Sequence, residues 1–229
     1  MSAIVPIDIR YELDGDGRDP GSSRLVRPIP SRASARAAGD LDRLGRGDDS
    51  CCLTFVPGLS GSALDCLANA PTNWRGIVRV VPGDWGGEAA LLPWVIDEVA
   101  AGLASIGRAL SIEVGNEAPP WAGLHRLAST FTTLTIVLGG GPRTPLRLAL
   151  ALCEGCPNVV LESSALGIDD LRETVLRLGA QRIVLGSGTP IGSAAEALRQ
   201  LDEAGLDEGA RRLVLVENAE QLLTGAGQP

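Results

Sequence analysis

The chain has 229 residues, 45% of them hydrophobic, 21% charged and only 3% aromatic. It sets 20 basic side chains against 28 acidic ones, for a formal charge of −8. That balance opposes a nucleic-acid backbone, and few rings are available for bases to stack on. Every basic residue is Arg, and His125 is the single histidine. Schiff-base lysines, carbamylated-lysine metal bridges and sites built on two or more imidazoles are therefore excluded.

Short β-branched apolar runs recur along the chain, each followed by a stretch with helical spacing, as expected for repeated βα units around a parallel sheet. The pattern predicts seven strands, over 3–9, 51–56, 76–81, 109–114, 134–138, 158–161 and 182–185. Helices are expected over 60–68, 88–105, 121–129, 146–153, 168–178 and 193–204, with a C-terminal pair at 207–215 and 218–223. From 14 to 50 the chain is rich in Gly, Asp, Arg and Ser and has only a weak helical stretch at 33–44. It reads as a long flexible loop within a single domain spanning 1–229.

No apolar stretch approaches the ~18–20 residues that cross a bilayer. The N-terminus lacks the basic flank and apolar run of a signal peptide, and five cysteines is an odd number. The expectation is a cytoplasmic protein with reduced thiols and no membrane partner. Cys153-Glu-Gly-Cys156 has redox spacing but closes a helix, so a structural role is expected, and Cys51 and Cys52 should face opposite sides of a strand. His125 reads as a helix-surface residue. Trp85, Trp94 and Trp121 flank loops that follow strands and suit an apolar pocket or an interface equally well.

The last third of the chain contains Asn158-Val-Val-Leu-Glu-Ser-Ser164, then Leu178-Gly-Ala-Gln-Arg-Ile-Val-Leu-Gly-Ser-Gly-Thr-Pro190, then Leu215-Val-Glu-Asn-Ala-Glu-Gln-Leu-Leu223. This text resembles the "NVYLDTS" strand, the "FGADRVLFGSDYP" strand and the terminal "NAxRLL" helix of the amidohydrolase-related TIM-barrel family of metal-dependent hydrolases and decarboxylases. Trp74–Pro82 resembles that family's third strand, and Leu127–Leu138 its "lAxxFPxLxvvlaH" segment. Ile7-Asp-Ile-Arg-Tyr-Glu-Leu13 aligns with its "IDxHxHL" signature. The resemblance implies a shortened TIM-like (β/α) barrel of seven parallel strands, because the family's fourth strand, a "GvKLHP" segment, has no evident counterpart.

The resemblance also implies metal ligands, and the five positions that should supply them read Arg10, Glu12, Glu113, Gly139 and Gly188. No metal and no cofactor are therefore expected. In a barrel the strand ends converge on one mouth, so Arg10, Glu12, Glu113 and Glu162 should meet there, with Arg10 taking the charge role of the missing cation. The glycine turns after two strands place Gly139, Gly140, Ser187, Gly188 and Thr189, with Arg10, as candidate ligand-binding residues for a small anion. The same glycines also suit tight strand-to-helix turns.

These residues suggest a metal-free, non-catalytic pseudoenzyme that acts as a ligand-binding or partner subunit. A homo-oligomer, or a complex with a catalytic relative, would cover the flank that a missing βα unit exposes. The alternative is a hydrolase or lyase with a metal-independent mechanism, using Glu12, Glu113 or Glu162 as acid or base and Arg10 to bind an anionic small molecule.

Overall fold

The computed structural model describes residues 7–8, 24–29, 50–54, 76–82, 87–114, 120–140, 145–188 and 193–225. Eight strands form one sheet: β1 (Ile7–Asp8), β2 (Arg24–Ile29), β3 (Ser50–Thr54), β4 (Gly76–Val80), β5 (Ala109–Glu113), β6 (Ile136–Gly139), β7 (Val159–Glu162) and β8 (Ile183–Val184). They lie in chain order, and every neighbouring pair is parallel. Sequential parallel strands with helical returns make a TIM-like barrel.

The strand count corrects the expected seven. The added strand is β2, Arg24-Leu-Val-Arg-Pro-Ile29, inside the stretch read as a loop. Two arginines and a proline in six residues mask its apolar character. With β2 in place, Gly76–Val80 is the fourth strand of the described sheet and not the third. The helix expected over 60–68 lies outside the described residues.

The helices that follow are α1 (Pro93–Ser105), α2 (Trp121–Thr130), α3 (Leu146–Gly155), α4 (Ile168–Leu178), α5 (Ala194–Glu203), α6 (Glu208–Arg212) and α7 (Asn218–Thr224), the last two joined by a π-helical turn at Leu213–Glu217. The single helix expected over 88–105 is instead a 3₁₀ turn, Gly87–Leu91, followed by α1. Pro93 causes the break, since proline cannot donate an interior helical hydrogen bond but fits the first helical turn. No described helix is long and apolar enough to cross a membrane.

Strand residues alternate between two cores, as the two-residue period requires. Val78, Val80, Leu110, Ile112, Leu138 and Leu161 point outward and pack against α1, α2 and α3. Ile77, Ala109, Val137, Val160 and Val184 point inward and meet Ala219, Leu222 and Leu223 of α7. Because α7 touches β1, β4 and β8, it lies across the floor of the barrel.

Three polar side chains tie successive units together. Asn158 donates from Nδ2 to the carbonyls of Ala128, Phe131 and Leu134 at 3.2, 3.0 and 2.9 Å. Arg182 donates to the carbonyls of Cys153 and Cys156 at 3.0 Å each, and to that of Val159. Asn218 donates to Ala180 O at 2.8 Å and Ile183 O at 2.7 Å. Carbonyls at helix ends have no partner within the helix, and these side chains satisfy several of them together with loop and strand carbonyls beside them.

Cys153 and Cys156 are free thiols buried at the end of α3. Burial pushes the Cys153 thiol up to about 12, against an opposing pull from Arg182. The unfolded chain releases that proton first, so the stability tied to Cys153 is full below about pH 9 and falls as pH rises from there toward 12. Denaturant melts at about pH 8 and about pH 10 should show this loss, and Cys153→Ala should reduce it. The native thiol should resist Ellman's reagent. Reaction as fast as in the denatured chain would contradict the burial.

Candidate functional site

The inward positions at the C-terminal ends of β4 to β8 turn polar one layer above the apolar floor. Arg79 stands in β4, Ser111 and Glu113 in β5, Gly139 in β6, Glu162 in β7, and Gly186 just past β8. The register sets Arg79 beside Ser111 and Glu113 beside Gly139. An Nη of Arg79 lies 2.5 Å from an Oε of Glu113, with the two side chains 16% and 9% exposed. This ion pair is largely withdrawn from water, where a charge-assisted hydrogen bond is strong.

Glu162 is held differently. The Ser164 N–H donates to one of its carboxylate oxygens at 2.7 Å and the Ser164 hydroxyl to the other at 2.6 Å. The carboxylate caps the short 3₁₀ turn Ser163–Ala165 that leaves β7. Gly186 is what makes room for it, because a Cβ there would fall inside the Glu162 carboxyl group. The Gly186 N–H donates to Ser163 Oγ at 3.1 Å. Gly139 lies between the two glutamates, and a Cβ on it would sit 3.3 Å from Cγ of Glu113 and 3.6 Å from Oε2 of Glu162. Gly188 has φ +67°, and a Cβ there would also press on Ser164. An aspartate at that position would be strained on both counts.

The structure therefore brings Glu113, Glu162, Gly139 and Gly188 to one mouth, as the strand-end argument requires. Gly140 is buried and lines a cleft of about 30 Å³ beside Glu162, roughly the room for one water. Ser187 is buried as well. Arg10, Glu12 and Thr189 lie outside the described residues, as do Trp85 and Cys66. Trp121 packs against the core, whereas Trp94 is 82% exposed. His125 is exposed on α2.

Arg79 was not anticipated. The signal was an Arg at an alternate position of an otherwise apolar parallel strand, Gly-Ile-Val-Arg-Val. Strands buried on both faces read as near-continuous apolar runs, so a charge there marks either the mouth or an error of assignment.

The family model described as "Amidohydrolase" matches residues 81–224, more than half of the chain. The chain belongs to the amidohydrolase family. No protein of curated function matches it. Among solved structures, an uncharacterized TIM-barrel protein from Bordetella bronchiseptica is similar at 16% identity and TM-score 0.67, over 89% of this chain and 79% of that one. The 5-carboxyvanillate decarboxylase LigW from Sphingomonas paucimobilis follows at 15% identity and TM-score 0.64, over 87% and 78%. The 2,6-dihydroxybenzoate decarboxylase from Rhizobium matches at 13% identity and TM-score 0.65, over 99% and 100%. At these identities the likeness establishes the barrel fold.

The amidohydrolase resemblance implies a metal in the mouth, and the described side chains do not fit one. Glu113 already receives the Arg79 guanidinium, whose fixed positive charge would repel a cation at contact distance. Both oxygens of Glu162 accept from Ser164. Among the described residues, no three His, Cys, Asp or Glu side chains are grouped to hold an ion.

Proposed function

We propose that this amidohydrolase-family barrel works without a metal, as a non-catalytic protein that binds a small anionic molecule at its mouth. The observation that carries the reading is the Arg79–Glu113 ion pair: a guanidinium is held against Glu113, the strand-end position where the family resemblance places a metal ligand. Ser164 supports it by holding the Glu162 carboxylate through N–H and O–H donors. The proposal extends to Arg10 and to the turn residues Gly139, Gly140, Ser187, Gly188 and Thr189 as ligand contacts. It further takes the protein to be cytoplasmic, and to associate with itself or with a catalytic relative, for which exposed Leu92 and Trp94 offer an apolar contact.

Elemental analysis of dialysed protein tests the central claim, with less than about 0.1 zinc or manganese per chain expected and no saturable heat on titration with either ion. About one tightly held ion per chain would overturn it. A second reading, a hydrolase or lyase with a metal-independent mechanism, is favoured by the convergence of Glu113 and Glu162 on Gly139. Turnover of an anionic substrate by metal-free protein, lost in Glu162→Gln, would select that reading over the first.

A further inference from the structure

The register aligns Arg79 of β4, Ser111 of β5, Val137 of β6 and Val160 of β7 in one row of the barrel interior. Val137 and Val160 are core residues, and Arg79 has Glu113. Ser111, which shares its face of β5 with Ala109 and Glu113, is only 7% exposed, yet its hydroxyl has no hydrogen-bond partner among the described residues. Its oxygen is open to solvent-sized space, whereas that of the Asn218 amide is sealed. That space lies on the mouth side of the row, because the cavity of about 260 Å³ on the far side is lined by Ala109, two residues earlier in β5, and not by Ser111. A barrel-interior hydroxyl without a protein partner costs stability that an alanine would not, so a polar group meeting it from the mouth is favoured.

We propose that Ser111 is the specificity-determining contact of the mouth and binds a neutral hydroxyl group carried by the ligand. Charge does not select the group at this depth: the charged neighbours of Ser111, Arg79 on β4 and Glu113 on its own strand, compensate one another. A serine hydroxyl both donates and accepts through one atom. A second hydroxyl answers both capacities, whereas an ionised carboxylate only accepts. The row beyond Ser111 is valine, which leaves a place for one polar group and no more. The ligand class is thus a small hydroxylated anion, a hydroxy acid in its simplest form. This rests on the reading of the mouth as an anion site and adds to it which uncharged group the ligand must carry.

The test is amide NMR on the full chain, titrated separately with glycolate and propionate, which have nearly the same shape and differ by a hydroxyl in place of a methyl group. Glycolate should give saturable shifts at Ser111 and Gly139 and should bind about tenfold tighter than propionate. Ser111→Ala should erase that preference while leaving propionate binding as it was. If the variant does not fold, the ranking of the two acids on the parent protein decides alone. Equal binding of both acids, or a preference that survives Ser111→Ala, would overturn the role of Ser111 and leave the anion site standing. No saturable response to either acid would overturn this proposal together with the anion reading on which it rests.

Discussion

Replacing Arg79 with Met is expected to remove about 3–5 kcal/mol of folding stability, the usual result of stripping one partner from a buried ion pair. The cost arises because Glu113, 9% exposed in its side chain, would keep its charge in the barrel with its guanidinium gone. Two measurements separate this from a mere loss of packing. Lowering the pH should narrow the gap between variant and parent, because protonation removes the orphaned charge. Adding Glu113→Gln to the Arg79→Met background should recover much of the loss, since the double variant buries no uncompensated ion. A variant within about half a kcal/mol of the parent would mean that water screens the pair. Arg10→Met, measured alongside, would report whether the other guanidinium anticipated at this mouth contributes as well.

Gly186→Ala should be nearly as harmful, at about 3 kcal/mol, because the new methyl group and the Glu162 carboxyl would occupy the same space. Glu162 cannot swing away without giving up both Ser164 donors. The decisive measurement is a cycle with Glu162→Ala. In that background the same methyl group should cost far less, and the difference is the coupling between the two positions. Equal costs in both backgrounds would place the strain in the β8 backbone.

The barrel and most of its strands were legible because a strand buried on both faces reads as a short, mostly apolar run, a form that β6 and β7 have and that β4 and β5 keep apart from Arg79, Ser111 and Glu113. β2 was not, since Arg24, Arg27 and Pro28 remove the apolar signal on which such a reading depends. The missed strand then shifted the count, so Gly76–Val80 passed for the third strand and the fourth seemed absent. Glu113 and Glu162 were found from their places at strand ends. Arg79 was overlooked because a charge in mid-strand carries no motif, and only the register, with Ser111 beside it and Glu113 two residues on, reveals its partner. The text that betrayed the family includes Asn158, Arg182 and Asn218, and all three bind helix-end and loop carbonyls in the described structure. What made the chain recognisable is thus partly joinery of the scaffold, which persists whatever happens to the chemistry above it.

That joinery also bears on how the chain assembles. Asn158 reaches back 24 to 30 residues, Arg182 23 to 29, and Asn218 35 to 38. Each reach spans about one βα unit, so Asn158 and Arg182 latch β7 and β8 to the preceding unit from the start of each strand, and Asn218 latches α7 to β8 and the turn before it. Loop-closure entropy for such spans is small beside that of joining distant parts of the chain. The C-terminal half can therefore zip up in sequence order, as a ratchet of neighbouring units, with α7 closing the floor once β8 and the turn before it have given Asn218 its two acceptors.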